Sequence, residues 1–168
     1  MFNWYAIYVN VKHEKKVVQK LQEQQIEAYS PVVKKLQQWS DRKKWVEFPM
    51  LSGYVFVKID ITEKEKVLHC PGVFTFIKFN SAEAKIRDAE IEILKSIETS
   101  GYDVTQVTEG LKLLDEVEIT QGQLKGLSGT IVQFQNLNYV QIQLESLHQS
   151  IKVKLPQHIL KIKSSINY

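Results

Sequence analysis

Residues 53–61 read Gly-Tyr-Val-Phe-Val-Lys-Ile-Asp-Ile, with apolar side chains at almost every position. So short a run, rich in β-branched and aromatic residues, is a strand covered on both faces and therefore central in its sheet. Residues 4–11, which open on Trp4-Tyr5, have the same character and supply a second buried strand. Between them, residues 13–25 carry Val17, Val18 and Leu21 at helical spacing, which predicts an amphipathic helix. Residues 27–33 suggest a short strand interrupted by Pro31. Residues 36–46, with Ser40-Asp41 between Trp39 and Trp45, predict a projecting hairpin.

Beyond the central strand, Thr62 and Glu65 have capping-box spacing for a short helix to about Cys70, stopped by Pro71-Gly72. Residues 73–79 read as a further strand. Asp88 can cap a helix whose Ile91, Leu94 and Ile97 form one stripe and which ends at Gly101. The character then changes. Small and polar residues at 99–110 read as a linker, followed by short β-like runs at 116–120, 130–135, 139–145, 150–155 and 160–162. Glycines at 122, 126 and 129 and an Asn136-Leu137-Asn138 turn separate these runs, as in a small closed barrel. The expected organisation is an N-terminal domain over 1–100, a linker over 101–110 and a barrel over 111–168.

Composition excludes several classes. With 43% hydrophobic and 24% charged residues, the chain is ordinary for a globular protein that buries a core. No apolar run approaches the roughly 20 residues of a bilayer span, and the first basic residues follow the apolar N-terminal run, the reverse of a secretory signal. A cytoplasmic monomer is expected, with no membrane contact. Cys70 is the single cysteine, so there is no intrachain disulfide framework and no cysteine-based zinc site. His69 and Cys70 are adjacent and so point apart, and the histidines at 13, 69, 148 and 158 lack ligand spacing. No metal or other cofactor is expected. Glu90 and Glu92 do not share a helix face, and the 122–129 glycine segment leads into a strand rather than a helix. No catalytic residue is expected, and the chain does not read as an enzyme.

The net charge of +3 is concentrated at one end, since residues 1–50 hold nine lysines and arginines against five carboxylates. Lys12, Lys15, Lys16 and Lys20 form one group; Lys34, Lys35, Arg42, Lys43 and Lys44 form another. Such clusters attract phosphate backbones by counterion release without reading sequence. A solvated helix face with a basic loop accounts for them equally well.

Three motifs in this order resemble the NusG family of transcription factors: Trp4-Tyr5 opening a strand, Pro-x-x-x-Gly-Tyr-Val-Phe-Val at 49–57, and Gly-x-x-x-Gly-x-x-Gly-x-x-Val at 122–132. The first two resemble the family's N-terminal domain. The third, preceded by Asp115-Glu116-Val117, resembles its KOW module. The resemblance implies an α+β fold, with an N-terminal antiparallel sheet and helices followed by a small SH3-like KOW β-barrel. Compact length, the basic hairpin and residues 72–79 look more like the specialised paralogues RfaH and the UpxY antiterminators than like general NusG. Leu51-Ser52 departs from the usual phenylalanine and proline before Gly-Tyr, and Glu63-Lys64-Glu65-Lys66 replaces a threonine-rich loop.

The same resemblance implies docking on the RNA polymerase clamp helices, with Trp4, Leu51, Tyr54, Phe56 and Phe79 as anchors. Core burial is the competing reading of each. The hairpin's Lys34, Lys35, Trp39, Arg42, Lys43, Lys44 and Trp45 would face upstream DNA or the displaced non-template strand. Lysine and arginine hold phosphates and tryptophan stacks on an unpaired base, although either tryptophan could equally staple the hairpin to the sheet. Leu124, Leu127 and Leu147 match positions by which the KOW module binds a small-subunit ribosomal protein or the termination factor Rho, with core burial an equal alternative for each. The implied function is transcription elongation and antitermination. A ribosome-associated or general RNA-binding KOW protein is the alternative.

Overall fold

A computed structural model describes residues 1–106, 112–134 and 137–165. The first sheet is antiparallel and built around β1 (Asn3–Val9) and β5 (Tyr54–Ile59). Between these in sequence lie α1 (Glu14–Glu23), β2 (Glu27–Tyr29), β3 (Val32–Gln38) and β4 (Lys43–Pro49). After β5 come α2 (Lys64–Leu68), β6 (Val73–Phe76), β7 (Lys78–Phe79), β8 (Ala82–Glu83), β9 (Lys85–Ile86) and α3 (Asp88–Ser100). The order across the sheet is β2-β5-β1-β6, with β9 also beside β1.

Strand alternation divides this sheet into two faces. Tyr5, Ile7, Val9, Val55, Val57 and Ile59 join Val17 and Leu21 of α1 and Val67 of α2 in one buried cluster. Trp4, Ala6 and Phe56 lie on the opposite face, in a cluster with Ile91, Leu94 and Ile97 of α3. Both central strands therefore read as unbroken apolar runs because each side of the sheet carries its own helix layer.

The second sheet is also antiparallel, in the order β10-β14-β13-β12-β11-β15. Its strands are β10 (Val104–Gln106), β11 (Lys112–Ile119), β12 (Ser128–Phe134), β13 (Leu137–Leu144), β14 (Gln149–Val153) and β15 (Leu160–Ser165). This is the expected SH3-like barrel following an α+β unit. Gly129 on β12 lets two strands close up: a Cβ there would lie 2.5 Å from the carbonyl oxygen of Gln141. The buried residues of this sheet, among them Val117, Ile119, Val140, Ile142 and Ile151, belong to the same continuous cluster as Trp4 and Leu94.

Several local expectations are corrected. The expected linker over 101–110 is in part a strand, since Val104, Thr105 and Gln106 pair with Val153, Lys152 and Ile151; residues 107–110 lie outside the described residues. Val32 and Val33 lead into the hairpin, whose ladder runs from Val32↔Pro49 to Gln38↔Lys43. The single strand expected over 73–79 breaks after Phe76. The chain then turns through Asn80 and Ser81, both with positive φ, into a two-residue hairpin. Asp60 rather than Thr62 caps the turn before α2, accepting the Thr62 N–H at 3.1 Å. Arg87 rather than Asp88 is the N-cap of α3, and the Glu90 carboxylate accepts the Arg87 backbone N–H at 3.3 Å. Gly101 ends α3 in the left-handed conformation, as expected.

Candidate functional site

The turn 50–53 decides what the first sheet shows to solvent. Met50 and Leu51 roll inward and are buried, and the Leu51 carbonyl accepts the Tyr54 N–H at 3.3 Å. Gly53 follows at φ +80°, where a Cβ would meet the Tyr8 ring at 2.8 Å. Its backbone is held on both sides. Its N–H donates to Glu14 Oε1 at 2.8 Å, a carboxylate buried in the first turn of α1, and its carbonyl accepts the Val9 N–H at 2.8 Å. An acidic residue at a helix N-terminus thus fixes the start of β5.

Register then builds an aromatic cluster at one end of the sheet. Tyr8 lies opposite Tyr54, and a bulge between Tyr8 and Val9 adjoins Phe74. The Tyr8 ring stands edge-on to Tyr54 and stacks on Phe74, with centroids 6.0 Å apart in both pairs. Tyr8 is 39% exposed, Phe74 is 60% exposed and Tyr54 is half-buried, so the three rings form an open apolar patch. Burial pushes the Tyr54 phenol above its ordinary pKa.

The five residues named as polymerase anchors separate into two groups. Trp4, Leu51 and Phe56 are buried and have no surface to offer a partner in this arrangement. Tyr54 is in the patch. Phe79 is half-buried and stacks at 4.3 Å on the ring of His148, which belongs to the second sheet's side of the molecule. Tyr8 and Phe74 were not anticipated. The signal for Tyr8 was strand parity, because Trp4, Ala6 and Tyr8 share one face, of which the first two are buried in the shared cluster and Tyr8 is exposed.

The hairpin residues are mostly at the surface. Lys34, Trp39, Arg42, Lys43, Lys44 and Trp45 are exposed, while Lys35 is half-buried and pairs with Asp103 at 3.1 Å. Trp39 and Trp45 are 55% and 65% exposed, so neither indole staples the hairpin to the sheet. On the second sheet, Leu124 and Leu147 are buried and Leu127 is half-buried.

The two sheets meet at a small polar seam over the shared apolar cluster. Glu90 of α3, 3% exposed, accepts the Ser146 backbone N–H at 3.0 Å. The Arg87 guanidinium lies 3.4 Å from Glu90 and 2.8 Å from Glu145. Burial raises the Glu90 pKa, but the bonds from Ser146 and Arg87 outweigh it and hold the carboxyl below its ordinary value. The Ser52 N–H donates to Gln106 at 3.4 Å, adding a weaker link beside the 50–53 turn.

Among the described residues no group of histidine, cysteine and carboxylate side chains is arranged to hold a metal, and no helix is long and apolar enough to cross a membrane. Cys70 is buried and burial raises its thiol pKa, so no reactive thiolate is presented.

No curated protein matches the sequence. Among solved structures, one described as domain interaction in Thermotoga maritima NusG superposes with a TM-score of 0.60 at 19% identity, covering 98% of each chain. Two forms of an MjSpt4:Spt5 complex align over 97% and 98% of this chain and 99% of theirs, at 19% and 21% identity. Their TM-scores of 0.33 and 0.34 carry no argument about the fold. The family profile described as "Transcription termination factor nusG" matches residues 2–95, more than half of the sequence, and the chain therefore belongs to the NusG family of non-enzymatic transcription factors.

Proposed function

We propose that this protein is an elongation and antitermination factor that docks on the clamp helices of RNA polymerase through Tyr8, Tyr54 and Phe74. The observation that carries this reading is the open aromatic cluster at one end of a sheet whose two faces otherwise pack into buried clusters. A few aromatic anchors in a desolvated contact supply most of the energy of such an interface, each worth about 2 kcal/mol or more on truncation. Binding the closed, active clamp more tightly than the open one is enough to shift polymerase toward elongation. No catalytic group is required.

The chain divides in this reading into a polymerase-binding domain and a KOW domain, with the basic hairpin facing upstream or non-template DNA. Phe79 and the 145–148 turn occupy one another, so a ribosomal protein or Rho that takes the KOW domain near Leu147 competes with domain docking. Leu127, half-buried, is the residue of the three proposed contacts that stays partly open. The compact two-domain form and the basic hairpin support a specialised paralogue of the RfaH or UpxY kind.

Paused elongation complexes test the proposal. Adding the full chain to cognate polymerase should shorten pause lifetimes and increase read-through of a terminator. Unchanged or lengthened pauses with polymerase that does bind the chain would overturn antitermination. Binding to ribosomes or to free RNA without binding to polymerase would favour the RNA-binding alternative.

A further inference from the structure

The two lysine groups that lie apart in sequence meet in space. Lys15 of α1 reaches Glu47 of β4 at 3.2 Å, and Lys34 of β3 lies 4.0 Å from the other oxygen of the same carboxylate. Around this junction is a hollow of about 520 Å³ lined by Lys15, Lys34, Lys44, Trp45, Val46 and Glu47. The ammonium groups of Lys15 and Lys34 against one carboxylate leave the hollow positive. Lys15 and Lys34 keep 89% and 69% of their side-chain surface exposed, so their charges are available to a ligand. Ladder register places Lys34, Leu36, Trp45 and Glu47 on one hairpin face, with Leu36 directly opposite Trp45. The indole is thereby buttressed by an aliphatic neighbour while 65% of the residue remains exposed.

From this the geometry points to a subsite for a nucleotide of an unpaired nucleic-acid strand, with the base stacked on Trp45 and adjoining phosphates held by Lys15 and Lys34. A flat π-face joined to negative charge is the ligand chemistry that an open indole ringed by ammonium groups accepts. Paired bases inside a duplex do not present that face. Glu47 acts as a positioning residue: it draws Lys15 of the helix onto the hairpin and joins the two basic groups into one track. The subsite rests on the proposed reading that the hairpin faces nucleic acid, and deepens it by adding α1 and by separating Trp45 from Trp39. Trp39 sits at the hairpin tip, outside the hollow.

The test uses the full chain carrying Trp39→Phe, so that Trp45 is the exposed indole and Trp4, 4% exposed, is shielded. Titration with a short oligothymidylate at low salt should quench indole emission. Trp45→Ala should weaken binding of a labelled oligothymidylate roughly tenfold or more. Lys15→Gln should weaken it severalfold and reduce the salt slope by about 0.7. An oligouridylate arm identifies the source: the tighter of the two strands names displaced DNA or transcript, and either supports the subsite. Binding that survives Trp45→Ala and Lys15→Gln but is lost on neutralising Arg42 and Lys43 would overturn the subsite and leave the general reading of the hairpin standing. Absence of any binding by the unmutated chain would sink both.

Discussion

Glu90 on α3 accepts the backbone N–H of Ser146 at 3.0 Å, so one buried carboxylate joins the helix that covers the first sheet to the turn that ends β13. The same carboxylate receives the Arg87 N–H that opens α3. Replacing Glu90 with alanine should cost about 1.5–3 kcal/mol of docking, because a charge-assisted bond is lost and a half-buried donor is left without it. The Ser146 amide should then exchange hydrogen roughly 10- to 100-fold faster, while α3 keeps its helical circular dichroism. Unchanged Ser146 protection in a folded variant would show that the apolar cluster alone holds the sheets together.

The same group predicts a pH dependence. Its docked-state pKa is lowered, so its contribution is fully present above the ordinary glutamate value of about 4.3 and is lost as pH falls through the lowered value. Ser146 protection should therefore decline below about pH 4, and Glu90→Gln should remove that part of the decline. A decline of equal size in the variant would assign it to other carboxylates.

Gly53 tests how the aromatic patch is seated. Alanine at φ +80° carries backbone strain of about 1–2 kcal/mol, and its Cβ also displaces the Tyr8 ring from 2.8 Å. Denaturant unfolding should show both components for Gly53→Ala. In a Tyr8→Ala background the steric part should vanish and the backbone part remain. Full additivity of the two substitutions would contradict the close contact.

Much of the fold was legible because the two central strands and the stripe Ile91, Leu94, Ile97 carry unambiguous periodicity. Exposure was not. Tyr54 and Phe56 sit two residues apart on one strand face, yet Phe56 is buried inside the shared cluster while Tyr54 packs at its margin and stays partly open. Leu51 takes the core alternative for a similar reason, since the direction of a four-residue turn is set by Gly53 and Glu14 together, 39 residues apart. The strand at 104–106 is too short for a periodic signal, and pairing with β14 creates it. The meeting of Lys15 with Glu47 likewise depends on how α1 packs beside the hairpin, which no local pattern encodes.

Gly129 makes a separate prediction for the second sheet. A methyl group there meets the Gln141 carbonyl oxygen at 2.5 Å and Val140 Cγ1 at 2.6 Å, so β12 and β13 must part. Gly129→Ala should destabilise this sheet by about 1–3 kcal/mol, read as a lower denaturant midpoint. An unchanged midpoint would mean that the two strands sit farther apart.

The central claim is that Tyr8, Tyr54 and Phe74 form the polymerase-docking surface. Retention of the full chain on cognate core RNA polymerase, compared with a Tyr8→Ala, Phe74→Ala double variant, tests it most directly. Both residues are exposed, so the variant should remain folded, and the account predicts a loss of affinity of at least roughly a hundredfold from two anchors. Undiminished retention of the folded double variant would contradict the account and move the docking surface elsewhere on the molecule.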